Sequence, residues 1–298
     1  MPLCPFTELH EVAGKPPTPM TVAVVGGADP TVIEAMRLAC DRGWVRPIVV
    51  GRKSSIRAVA VKTGIALDGF EIIDAEFPAP AAVEAVRSGR AQLLMKGGIA
   101  TPALMGAMLH PETGLRTGET ICQVVLLELR SGRRFLLADT GICIQPTLEQ
   151  KAGILKSAVE IARRLGCDRP RVAVMAATES VNAAMPETLD AAELVKRAEA
   201  GEFGKCDVQG PLSFDLAFAS DAADKKQIAG AVTGAADVML FPNLLSANLT
   251  VKAIMYTADC QFGGVLCGAK CPVVFMSRSD STATRLNSLA LALKLASS

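Results

Sequence analysis

From residue 21 to residue 96 short apolar runs and helical-period segments alternate without a break. Extended runs are expected at 21–25, 46–51, 71–74 and 92–96, with helices at 54–63 and 81–88. The first crossover should be a helix opened by Asp29 as N-cap and Pro30 at its first position, with Ile33, Met36 and Cys40 on one face. Strands separated by helices cannot pair as hairpins. They form a parallel sheet with right-handed crossovers, covered by helices on both faces.

Further on, a helix is expected over 101–109, and then a loop from His110 to Gly118 that carries Arg116 and Thr117. Two β-type runs, 122–129 and 134–138, read as a hairpin. Helices at 147–165 and 187–199 bracket a strand at 171–175. A short extended piece at 206–212 leads into a helix near 213–219. A buried strand at 238–241, a helix at 248–260, strands at 263–266 and 273–276, and a helix at 282–295 close the chain. The last helix carries Leu286, Leu289 and Leu293 as one stripe. The residues before Thr21 are proline-rich and read as an N-terminal arm. The fold class is therefore α/β, two domains of αβα layers with mostly parallel sheets. A chain of 298 residues fits that number of domains, at roughly 150 residues each. The hairpin is the best crossing point, which gives 1–130 with 268–298 as one domain and 131–267 as the other.

Charge and cysteine usage exclude several functions. A formal net charge of +1 with mixed signs does not suit a nucleic-acid surface. The nine cysteines form no CxxC and there are two histidines, so zinc-type spacing is absent. The first residues lack the charged and apolar regions of a signal peptide. No run approaches the roughly 18 apolar residues of a membrane span. A soluble cytoplasmic protein is expected.

The candidate site is the turn from Ser277 to Ser281, after the last strand. Open α/β folds gather ligands at strand carboxyl ends, and a helix starting near Thr282 would aim backbone N–H groups at an anion there. Arg278 adds a fork suited to phosphate. The competing reading is a capped helix, with Ser279 or Ser281 as the cap. Gly26 and Gly27 could admit a nucleotide phosphate. However, the full GxGxxG is missing and Arg52-Lys53 stands where an acidic residue would be needed, so a tight βα turn is favoured. Lys96, beside Gly97, could reach a phosphate or be solvated. Asn248 and Lys252, one helical turn apart, could be a binding pair or a cap and a surface lysine.

Taken together, LMKGG at 94–98, GLRTG at 114–118, LADTG at 137–141 and GPLSFD at 210–215 form an ordered set. It continues with GAADV at 234–238, Asn248 with Lys252, GGVLCG at 263–268 and PVVFMSR at 272–278. The chain thereby resembles the phosphate acetyltransferase/phosphate butyryltransferase family, closer to the butyryl branch. The resemblance implies reversible transfer of a short-chain acyl group between CoA and phosphate. It implies two isocitrate/isopropylmalate dehydrogenase-like domains with the active-site cleft between them, a homodimer or higher homo-oligomer, and CoA as substrate with no bound metal or organic cofactor. It puts Ser277, Arg278 and Arg116 among the catalytic residues; Lys96, Gly97, Thr117, Asn248 and Lys252 are the candidates for binding substrate. The position where the acetyl branch carries an aspartate implicated as the base is Ala283 here, which leaves Asp280 as the candidate.

The chemistry accounts for such a set. A thiol with a pKa near 8.5 is only about 3% thiolate at pH 7, so it needs a base or a favourable environment. Phosphate repels the developing oxyanion, so arginines should neutralise it. A hydroxyl such as Ser277 can donate to that oxyanion. Two alternatives stay open: a catalytically silent acyl-CoA-binding or partner protein, and an NAD-linked hydroxyacid dehydrogenase. The second would need a metal-binding carboxylate set, which Asp139, Asp215 and Asp237 do not readily supply.

Overall fold

The computed structural model describes every residue except Met1, Pro16, Pro17, Met276, Arg278, Ser279 and Ser298. The chain divides into two compact units, Phe6–Glu119 with Gly263–Ser298, and Met1–Pro5 with Thr120–Phe262.

The first unit starts with α1 (Phe6–Ala13), where the sequence suggested only an arm. Phe6, Leu9 and Ala13 recur at helical spacing, and all three are buried. The alternation follows as β1 (Met20–Val25), α2 (Pro30–Asp41), β2 (Val45–Gly51), α3 (Lys53–Thr63), β3 (Glu71–Asp74), α4 (Pro78–Arg87), β4 (Leu93–Lys96) and α5 (Thr101–Met108). β1 pairs in parallel with β2 and β4, and β2 with β3. The α2 start is as expected: Asp29 Oδ1 accepts from the N–H groups of Thr31 and Val32, at 3.0 and 3.2 Å.

The second unit contains β5 (Cys122–Leu129) and β6 (Arg134–Ala138), an antiparallel hairpin, and then α6 (Leu148–Arg164) and β7 (Arg171–Met175). After α7 (Pro186–Glu199) come β8 (Asp207–Leu212), α8 (Phe214–Phe218), α9 (Ser220–Lys226), β9 (Val238–Leu240) and α10 (Leu244–Thr257). Its strands lie in the order β5-β6-β9-β7-β8, and β6, β9, β7 and β8 are parallel. Both hairpin strands belong to this unit. α9 was not expected. α10 begins before the expected residue 248, because the Asn243 side chain caps it by accepting from Ser246 N–H at 3.0 Å.

The chain then runs through β10 (Cys260–Cys267) and β11 (Val273–Val274) to α11 (Thr282–Ala296). β11 is antiparallel to β10 and parallel to β4, so the first-unit order is β3-β2-β1-β4-β11-β10. β10 is longer than the expected 263–266. β11 is shorter than 273–276, of which Met276 lies outside the described residues. α11 carries more than one apolar stripe: every residue from Thr284 to Leu293 is buried. A helix enclosed on all sides is a core element, and α11 packs against α1, α2 and β11. Among the described residues no helix is long and apolar enough to cross a membrane.

Candidate active site

β1 is the strand at which the winding of the first unit reverses, and its carboxyl end meets that of β4. The two backbones approach closely there: Gly97 N–H donates to Val25 O at 2.8 Å and Gly98 N–H to Gly26 O at 2.7 Å. A Cβ on Gly97 would stand 2.6 Å from the Gly26 carbonyl oxygen, and one on Gly27 would stand 2.0 Å from Val49 Cγ1. The tight-turn reading of Gly26-Gly27 holds, since packing alone requires glycine. Lys96, the last residue of β4, is 3% exposed, which removes the solvated alternative. Its Nζ lies 5.9 Å from the centroid of the Phe275 ring, and the ring face favours a cation there.

On the neighbouring β11 the chain runs out through Phe275 to Ser277, which is exposed. Ser277 N–H donates to Asp280 Oδ2 at 2.7 Å, and Asp280 N–H returns to Ser277 O at 3.2 Å. α11 starts next to this turn. Of the two hydroxyls proposed as its cap, Ser281 serves, accepting from Thr284 N–H at 3.2 Å. Arg278 and Ser279 lie outside the described residues.

Behind the turn stands a residue that sequence reasoning missed. Arg285, on the first turns of α11, is 1% exposed. Its Nε donates to Thr31 Oγ1 at 2.9 Å and its Nη2 to Ser277 O at 3.3 Å, while Nη1 is buried without a partner. Thr31 Oγ1 in turn donates to Asp29 Oδ1 at 2.7 Å. Burial pushes the guanidinium pKa down, and the carboxylates of Asp29 and Asp280 work against that shift. An unsatisfied buried donor of this kind costs about 1–3 kcal/mol, more for a charged group. A signal was present in the sequence. Cations are disfavoured near helix N-termini, and positions 281, 282, 288 and 289, the helical neighbours of Arg285, are Ser, Thr, Ser and Leu.

Arg116 and Thr117 are held elsewhere in the same unit. Thr117 Oγ1 donates to Gly268 O at 2.7 Å, and Arg116 forms a backbone bridge with Ala269. Gly268 and Ala269 belong to the turn from β10 into β11, so this loop is tied to the amino end of β11, whereas Ser277 follows its carboxyl end. The Arg116 side chain is exposed and makes no ion pair among the described residues.

In the second unit, Asn248 Nδ2 donates to Thr140 O at 3.2 Å, which ties α10 to the end of β6, and Lys252 is exposed one turn along. Asn248 is therefore not the helix cap. The preceding residue, Asp139, accepts from the N–H groups of Gln123, Gly141, Ile142 and Cys143 at 2.7–3.3 Å. Burial, reinforced by the Asp139 charge, pushes the Cys143 thiol up to about 12, so it is no nucleophile at neutral pH. Asp237 is gripped by Arg171 through two contacts of 2.9 Å, and Asp215 pairs with Lys226 at 2.9 Å. The three carboxylates a metal-dependent dehydrogenase would need are thus engaged separately. No group of side chains suited to a metal ion occurs among the described residues.

The first unit is an open parallel α/β unit with Lys96 at the carboxyl end of β4 and Ser277 and Asp280 beyond that of β11, the ends at which such proteins hold ligands. The chain belongs to the phosphate acetyl/butaryl transferase family, which it matches over residues 77–293. It is 39% identical over 275 residues to the phosphate butyryltransferase of Clostridium acetobutylicum, across 91% of each chain. Identity to the phosphate acetyltransferase of Thermotoga maritima is 37% over 273 residues, 91% of this chain and 93% of that one. A similar solved structure is a branched-chain phosphotransacylase from Enterococcus faecalis V583, with a TM-score of 0.81 and 30% identity over 93% of this chain and 99% of the other.

Proposed function

We propose that this chain catalyses acyl-CoA + phosphate = acyl phosphate + CoA, with butyryl or a similar short acyl group. The observation that carries this reading is the family match, whose span includes Lys96, Arg116, Asn248 and Ser277. A phosphate oxygen attacks the thioester carbon and forms a C–O bond. The tetrahedral oxyanion then collapses, the C–S bond breaks, and the sulfur leaves with the electron pair and takes up a proton. In reverse the CoA thiol gives its proton to a base, and the thiolate attacks the acyl phosphate. Ser277 donates to the oxyanion, a contribution of the order of 10²–10³ in rate. Arg278 and Arg116 neutralise phosphate, and Asp280 is the candidate base. Lys96, Gly97, Thr117, Asn248 and Lys252 bind substrate. Transfer is direct, in a ternary complex, and proximity lowers much of the barrier.

The reading extends to two isocitrate/isopropylmalate dehydrogenase-like domains, a homodimer or higher homo-oligomer, and action in the cytoplasm. CoA is a substrate, and no resident metal or organic cofactor takes part. The test is the initial rate of CoA thiol release by the purified protein, across acyl-CoAs of two to six carbons, with and without phosphate. Release that requires phosphate and is fastest near four carbons is expected. No release at any chain length would overturn the reading.

A further inference from the structure

We propose that Arg285 is a positioning residue that holds the Ser277–Asp280 turn from behind and makes it receptive to phosphate. The inference rests on the reading above. The guanidinium touches no carboxylate directly. Both of its hydrogen bonds, to Thr31 Oγ1 at 2.9 Å and to Ser277 O at 3.3 Å, go to neutral oxygens. Its counter-charges stand one hydrogen bond further out: Asp29 holds the Thr31 hydroxyl at 2.7 Å, and Asp280 holds the Ser277 N–H at 2.7 Å. Two relays therefore meet on one buried cation, and one of them runs through the backbone of the serine that faces solvent.

A purely structural arginine with 1% exposure would be expected to have its donors satisfied, yet Nη1 has no partner. That leaves one guanidinium donor beneath Ser277 without a protein acceptor among the described residues, available to an anion at the turn. The Ser277 carbonyl is held by Arg285 and its N–H by Asp280, so both polar backbone groups of this exposed residue are fixed.

The experiment compares wild type with Arg285→Gln, Arg285→Lys and Thr31→Val, measuring kcat, KM for phosphate, KM for butyryl-CoA and melting temperature. Arg285→Gln should raise KM for phosphate about tenfold, the scale of one partly screened charge, and leave KM for butyryl-CoA within twofold. Arg285→Lys should recover most of that loss although both variants lose stability alike. If Arg285→Gln does not fold, Thr31→Val carries the test, since it removes one hold and spares both Arg285 and Ser277. A smaller rise in KM for phosphate alone is then expected. Equal KM for phosphate in wild type, the folded Arg285 variants and Thr31→Val would overturn the proposal. Absence of phosphate-dependent release in wild type would instead remove the functional reading itself.

Discussion

Ser277 and Asp280 hold each other through two reciprocal hydrogen bonds, one to the Asp280 carboxylate and one to the Ser277 carbonyl. The Ser277 N–H meets the Asp280 carboxylate at 2.7 Å, and the Asp280 N–H meets the Ser277 carbonyl at 3.2 Å. The carboxylate therefore already has a structural task, accepting from the residue whose hydroxyl is assigned to the oxyanion. The two roles considered for Asp280, base and turn holder, can be separated by substitution.

Asp280→Asn keeps an oxygen acceptor for the Ser277 N–H and removes the negative charge, whereas Asp280→Ala removes both. If Asp280 also takes the thiol proton, the Asn variant should lose about 10²-fold or more in kcat in the direction of acyl-CoA synthesis, within the range for general base catalysis. Asp280→Ala should lose more. Full activity in the Asn variant would assign Asp280 to holding the turn alone.

Ser277→Ala should retain the fold, because Ser277 is exposed, and should lower kcat by about 10²–10³. The check is phosphate-dependent thiol release together with the melting temperature. An Ala variant as active as wild type would exclude the oxyanion role.

Gly97→Ala tests the close approach of β1 and β4. The added carbon would stand 2.6 Å from one backbone oxygen and 2.8 Å from another, neither of which can rotate away. A loss of about 1–3 kcal/mol is expected, seen as a melting temperature lower by several degrees. An unchanged melting point would show that the strand ends can separate.

His10 gives the first unit a pH dependence. Its Nε2 lies 2.8 Å from Asn287 Oδ1 on α11. Burial holds the imidazole below its ordinary value of 6.5; the Asn287 contact pulls it back up, and Arg42 pushes it further down. Above about pH 6.5 both folded and unfolded states are neutral and burying the imidazole carries no protonation penalty. As the pH falls below that value the unfolded chain takes up a proton that the folded chain resists, and stability declines until the lowered folded pKa is passed. His10→Gln should flatten the stability curve between roughly pH 7 and pH 5 in urea titrations. Parallel curves for the two proteins would contradict this.

The parallel first unit was legible because its elements alternate in order and each carries local punctuation, such as Asp29-Pro30 before α2. α1 was less so, since the prolines that follow it suggested an arm. The span and the leucine stripe of α11 were legible, but its burial on the remaining faces was not, because that depends on α1, which packs against it. The turn at Ser277 could be found from its place after an apolar run, and the motif order led to the family. The burial of Lys96 beneath Phe275 could not be found that way, nor could the hold of Arg285 on Thr31, a residue 254 positions away. Local pattern records which residues a segment buries. It does not record which distant oxygen receives a buried donor.

The most direct measurement is ³¹P NMR of the purified protein with butyryl-CoA and inorganic phosphate, with free thiol assayed in parallel. An acyl phosphate resonance should grow in step with thiol, one for one, and reverse when CoA is added. Thiol released at the same rate without phosphate, with no acyl phosphate formed, would mean hydrolysis and would contradict acyl transfer.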